Sequence, residues 1–165
     1  MKRILNYFTR LTLSLLPELL FPRLNVFLFN SLGYNLHNSA RVSSSVDISG
    51  SIVVNIGKLT HVGSKTIISG GKAKISIGSR CDISGNVGII CGTHEIDKTG
   101  LRIAGKNIGK DIVIGNGVWI GFGALILPGV KIGDKCIVGA GCVVSKDVPD
   151  ESIAIGNPMI IRKIK

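Results

Sequence analysis

The stretch Ile108-Gly-Lys-Asp-Ile112-Val-Ile114-Gly-Asn-Gly-Val118-Trp-Ile120-Gly-Phe-Gly-Ala124-Leu-Ile126-Leu-Pro-Gly-Val130-Lys-Ile132-Gly-Asp-Lys-Cys136-Ile-Val138-Gly-Ala-Gly-Cys142-Val-Val144 decides how this chain folds. Ile108, Ile114, Ile120, Ile126, Ile132, Val138 and Val144 recur every six residues, and Gly109, Gly115, Gly121, Gly133 and Gly139 each follow one of them. Two residues before each aliphatic stands a small or medium apolar residue: Ile112, Val118, Ala124, Val130, Cys136 or Cys142. A period of six fits neither the 3.6 of a helix nor simple alternation. It matches the hexapeptide repeat of a parallel β-helix, in which each hexad is a short strand plus a turn. Three hexads then make one triangular coil, and stacked coils bring the inward aliphatics into columns. The glycine beside each aliphatic is expected to supply a tight corner that a Cβ would hinder.

Working outward, the amino-terminal half carries the same pattern in broken registers. Val42, Ile48 and Val54 form one, Ile56, Val62 and Ile68 a second, and Ile77, Ile83 and Ile89 a third, with Gly57, Gly63 and Gly78 in the corner position. Each break implies a bulge or loop. The largest lies between Ile89 and Ile108, so residues 92–106 are expected to leave the coil. Cys81, Cys136 and Cys142 fall at the inward position and read as core fillers rather than nucleophiles.

Before Asn38 the spacing is helical. Ile4, Phe8, Leu11 and Leu15 share one face, Pro17 ends the pattern, and a second segment runs from Pro22 through Leu24, Phe27, Leu28 and Leu32 to Gly33. Neither segment has the ~20 apolar residues needed to span a bilayer. Residues 1–38 therefore read as a helical cap over the open end of the repeat, or as a membrane-surface segment in which Lys2, Arg3, Arg10 and Arg23 flank apolar faces. Residues 39–165 form the repeat domain, with a tail from 150 to 165.

Length and composition agree with this architecture. At 165 residues the chain suits one domain, and with aromatics at 5% its core must be filled by stacked Ile and Val. The formal charge of +10 suits an anionic partner. Nucleic acid is not expected, because no helix-turn-helix, zinc-finger spacing or basic stretch with stacking aromatics is present. No metal is expected either: the four cysteines form no C-x-x-C pair, and His37, His61 and His94 stand at no zinc-site spacing. With no signal-peptide pattern, the expected location is cytoplasmic with reduced thiols, at or near the inner face of the membrane if the helices bind it.

Chemistry concentrates in the segment from Gly92 to Lys106. Long excursions from regular structure tend to be functional, and this one holds Thr93, His94, Glu95, Asp97 and Arg102. A histidine there suits a general base near neutral pH, with a neighbouring carboxylate or carbonyl fixing its tautomer. A solvated surface histidine is the bland alternative.

The run from Ile114-Gly-Asn-Gly-Val-Trp119-Ile-Gly through Val138-Gly-Ala-Gly-Cys-Val-Val-Ser-Lys-Asp-Val-Pro149 to Gly156-Asn-Pro158 resembles the hexapeptide-repeat acetyltransferases. That group includes the galactoside, maltose and serine enzymes and the O-acetyltransferases of surface polysaccharide synthesis. The resemblance spans about residues 40–165. It implies a left-handed β-helix, a homotrimer, acetyl-CoA in the groove between neighbouring prisms, and a loop histidine as the base, here His94. It also implies that Trp119 lies near the active site, unless its ring merely packs at the loop base. Ala140, Ser145 and Lys146 correspond to positions lining the CoA groove, while Lys146, Arg162 and Lys163 are candidates to neutralise the CoA phosphates. Glu95, Asp97 and Arg102 are candidates to hold the acceptor. The chain departs from the galactoside-type pattern at Phe122, where those enzymes carry a small polar residue.

The expected reaction is O-acetylation of a sugar hydroxyl, on a free or lipid-linked sugar of surface polysaccharide synthesis. N-acetylation of an amino sugar or small molecule is one alternative, and a noncatalytic β-helix scaffold is another. A zinc-dependent carbonic anhydrase shares the fold but needs three suitably placed histidines, which this chain lacks.

Overall fold

The computed structural model describes residues 2–17 and 21–164 of the chain. The side chains of residues 2–6 and 10 lie outside this description, and with them the readings that rest on Lys2, Arg3, Ile4 and Arg10.

The hexads fold as the period predicts, into a three-faced parallel β-helix of about five coils. Each face is a ladder of short parallel strands with one column of aliphatics behind it. On the first face Ile48, Ile68, Ile89, Ile126 and Val144 are successive partners. The second face stacks Leu36, Ile56, Ile77, Ile114 and Ile132. The third stacks Val42, Val62, Ile83, Ile120, Val138 and Ala154, each wholly buried. Each Ile or Val withdrawn from water in this way contributes about 1.5–3 kcal/mol. Residues two before these aliphatics fill the corners, among them Cys81, Val118, Ala124, Val130, Cys136 and Cys142.

Coil length varies, and it varies at one place. Hydrogen bonds between equivalent positions join residues 18 apart where the hexads are clean (Asn116 to Asp134), 20 apart between the first two coils (Leu59 to Ser39) and 21 between the next two (Cys81 to Thr60). The extra residues lie where the first face turns into the second, within the strands Asp47–Ile56 and Ile67–Ile77 that run around that edge. Val54 consequently does not continue the column of Val42 and Ile48. It precedes Ile56 on the same strand and stacks on Ile75 and then Ile112.

One further reading needs correction, and another gains its cause. The clean register begins at Ile112 rather than Ile108, because Ile108 belongs to a strand outside the coil, opposite Thr93. The glycines after the aliphatics are required by stacking clearance, since a Cβ on Gly121 would lie 2.6 Å from the Ala140 nitrogen one coil on. Positive φ is needed at a different position of the turn. Gly117, Gly123, Gly129 and Gly141 occupy it in the later coils together with Lys135 and Glu151, and Leu59, Lys65, Arg80 and Asn86 in the earlier ones.

Two helices close the first coil: α1 (Lys2–Leu15) and α2 (Pro22–Ser31). Leu13, Val26 and Phe29 join the same buried cluster as the columns. The buried Asn25 Nδ2 donates to the Val42 carbonyl (3.0 Å). Asn30 imitates a neighbouring strand, accepting from the Leu36 amide (2.8 Å) and donating to its carbonyl (3.0 Å). An open strand edge is thereby covered. At the other end the tail continues the third face as Ser152–Ile155, then folds back antiparallel as Ile160–Lys163. Among the described residues no helix is long and apolar enough to cross a membrane.

Candidate active site

The third coil ends at the buried Cys91, and the chain then leaves the prism as a hairpin. Its strands are Gly92–Ile96 and Ala104–Gly109, antiparallel, with Thr93 opposite Ile108 and His94 opposite Asn107. The Lys110 amide donates to the Cys91 carbonyl (2.9 Å) and closes the base. The arm emerges at the edge between first and second faces, where the earlier coils are also lengthened. Glycine permits this crossing: a Cβ on Gly70, whose φ is +152°, would run into the Gly92 nitrogen, and one on Gly92 would lie 3.0 Å from the Gly70 Cα.

At the tip, one carboxylate oxygen of Asp97 accepts from the Thr99 amide (2.9 Å), the Thr99 hydroxyl (3.0 Å) and the Gly100 amide (2.8 Å). These donors, the Thr99 amide foremost, hold its carboxyl below the usual Asp value. The hairpin is thus pinned at both ends, and Asp97, a candidate for acceptor binding, also builds the turn. His94, Glu95 and Arg102 are exposed on the arm. Among the described residues no partner within the chain binds the His94 ring, so the expected tautomer-fixing carboxylate or carbonyl is not supplied by this copy. Ile96, Leu101 and Ile103 are also exposed there. Large aliphatics out of register in a polar loop are the sequence signal of an arm whose apolar side chains lack a cover.

Ser145 and Lys146 are exposed at the edge from which the arm leaves, further along the stack. Trp119 is on the third face, between Asp82 and Ile137, with 53% of its surface accessible. Phe122 and Ala140 occupy the corner after that face, both exposed. Arg162 lies opposite Ile153 on the terminal strand, and the Lys163 ammonium donates to the Asp150 carbonyl (3.1 Å). One chain therefore brings His94, Glu95, Asp97 and Arg102 onto a single arm and leaves Trp119 on the face across the prism from it. A site that uses both His94 and Trp119 requires two copies.

The cysteines take no part. All four are free and buried, and burial pushes each thiol above its ordinary pKa, disfavouring the thiolate. Among the described residues no three His, Cys, Asp or Glu side chains gather as a metal group would.

Known proteins share this fold. The family described as "Bacterial transferase hexapeptide (six repeats)" matches residues 111–146. The hexapeptide-repeat acetyltransferase VCA0836 of Vibrio cholerae superimposes over 99% of this chain and 91% of its own, with a TM-score of 0.78 and 28% identity. The chain is a hexapeptide-repeat protein with the left-handed β-helix of the hexapeptide-repeat acetyltransferases. Among curated relatives of this hexapeptide-repeat protein, the galactoside O-acetyltransferase of Escherichia coli K12 is 41% identical over 91 residues, 54% of this chain and 44% of that one. The chain spans about half the length of the curated relatives it matches. A second solved relative, the polySia-specific acetyltransferase NeuO, is 31% identical, with 79% of this chain and 60% of its own covered and a TM-score of 0.64. The Vibrio protein has also been solved complexed with acetyl coenzyme A, where the match is 24% identical with a TM-score of 0.74 over 99% of this chain and 87% of that one.

Proposed function

We propose that this protein is an acetyl-CoA-dependent O-acetyltransferase that acetylates a sugar hydroxyl in surface polysaccharide synthesis, with His94 as general base. The observation that carries the reading is the arm. It is the one long excursion from the stack among the described residues, it is pinned at base and tip, and it holds an exposed imidazole in a fold shared with acetyltransferases. The relatives named for galactoside and polySia acetylation support a saccharide acceptor.

In the proposed reaction His94 takes the proton of the acceptor hydroxyl as its oxygen attacks the thioester carbonyl. A backbone amide of the coil stabilises the oxyanion. The C–S bond then breaks, the new ester C–O bond is retained, and the proton passes from His94 to the CoA sulfur. Much of the remaining barrier is removed by holding the two substrates together. Trp119, Ala140, Ser145 and Lys146 would line the CoA site and Arg162 and Lys163 would face its phosphates, while Glu95, Asp97 and Arg102 would hold the acceptor. The proposed working form is the homotrimer that the family resemblance implies, in which His94 of one copy and Trp119 of the next would meet at each junction, as their placement on different sides of the prism supports. The test is a panel of free, nucleotide-linked and lipid-linked sugars incubated with isotopically labelled acetyl-CoA, with product mapped by mass spectrometry and NMR. An O-acetyl sugar made by the wild type and not by His94→Ala is expected. Transfer only to amines, or no thermal shift with CoA, would overturn the reading.

A further inference from the structure

We infer that α1 and α2 together form a face that lies on an anionic phospholipid bilayer. The inward side of α1 is Thr9 and Leu13, both buried. Its opposite side presents Tyr7, Phe8, Leu11 and Leu15, and Leu15 is 77% exposed. On α2 the inward residues are Asn25, Val26 and Phe29, while Leu24 and Phe27 face out beside Phe21, and Phe27 is 67% exposed. A helix that only closed a solenoid would be polar on its outer side. Here, among the described side chains of α1, the outer side carries more apolar bulk than the buried side, and a large exposed apolar patch marks an interaction surface.

Charge selects the occupant. Residues 1–33, which supply both helices, carry by sequence Lys2, Arg3, Arg10 and Arg23 against the single carboxylate of Glu18. That basic balance of the segment, with Arg23 exposed beside Leu24, suits an anionic bilayer, which accepts both cations and apolar side chains, better than a second copy of the same basic segment. Length fixes the mode of contact. The 14 residues of α1 extend about 21 Å, short of the ~30 Å hydrocarbon core, so the helix lies in the interface. Nothing in this inference depends on the proposed reaction.

The experiment is co-sedimentation of the full chain with vesicles of phosphatidylglycerol and phosphatidylcholine in equal parts, and with phosphatidylcholine alone. Wild type is expected to pellet with the anionic vesicles at least about tenfold more tightly than with the neutral ones, and less tightly as salt rises. The double variant Leu11→Glu/Phe27→Glu is expected to stay in the supernatant while keeping its circular dichroism and thermal transition. Arg23→Glu, an exposed change outside the core, is expected to weaken binding about tenfold and serves if the double variant fails to fold. Wild type remaining in the supernatant with both vesicles, or variants that pellet as wild type does, would overturn the inference. So would a fall in assembly mass by light scattering in the folded variant without vesicle binding by wild type, which would make the face a contact between copies.

Discussion

His94 is held by main-chain pairing alone: its strand partner is Asn107, and its ring meets solvent. Removing the imidazole therefore leaves the arm's framework in place. His94→Ala is expected to lower kcat by about two to four orders of magnitude while CoA binding, read by thermal shift, is kept. The tip depends on a side chain. Replacing Asp97 with Ala removes the acceptor that Thr99 and Gly100 share, and the expected result is faster amide exchange at those two residues with unchanged exchange in the columns. Acid should reproduce the effect. The folded carboxyl titrates below its ordinary value, so its contribution is complete above the unfolded pKa and is lost as pH falls through the folded one. An NMR titration in which the two amides loosen only at the acid end of the carboxylate range is the expected outcome.

Among the elements, the hexads were legible because each inward position demands an aliphatic and the coil repeats every three of them. That a Cβ would be hindered beside the aliphatics was legible, but what hinders it was not, since sequence cannot distinguish a residue that needs positive φ from one that must let a neighbouring backbone approach. The structure separates the two. Gly121→Ala puts a methyl against the Ala140 nitrogen, where backbone cannot yield, and should cost about 1–3 kcal/mol in denaturant unfolding. Leu59 sits at the left-handed turn position with φ +58° and an exposed side chain. Leu59→Asn should raise stability by about 0.5–1 kcal/mol, because Asn tolerates that conformation better than a branched aliphatic. The breaks before Ile56, before Ile77 and after Ile89 were visible as lost register, yet their gathering on one edge of the prism appears only when the coils are stacked.

At the scale of the molecule, the same edge explains why the candidate site was half legible. His94 stood out because its loop breaks the period, and Trp119 stood out by resemblance, but one-dimensional spacing could not reveal that a chain places them on different sides of its prism. A shared site makes a prediction that a self-contained one does not. A His94→Ala subunit retains Trp119, and a Trp119→Ala subunit retains His94. Homotrimers of either variant have no junction with both residues, so each should be deficient. Unfolding and refolding an equal mixture, or co-expressing the two, gives mixed trimers in which about one junction in four joins an intact His94 to an intact Trp119. Activity should then return toward about a quarter of wild type, measured as CoA release with a sugar acceptor, while simple mixing of preassembled variants returns none. Equal deficiency before and after subunit exchange, with trimer formation verified by light scattering, would mean that each chain builds its site without Trp119 from a neighbour.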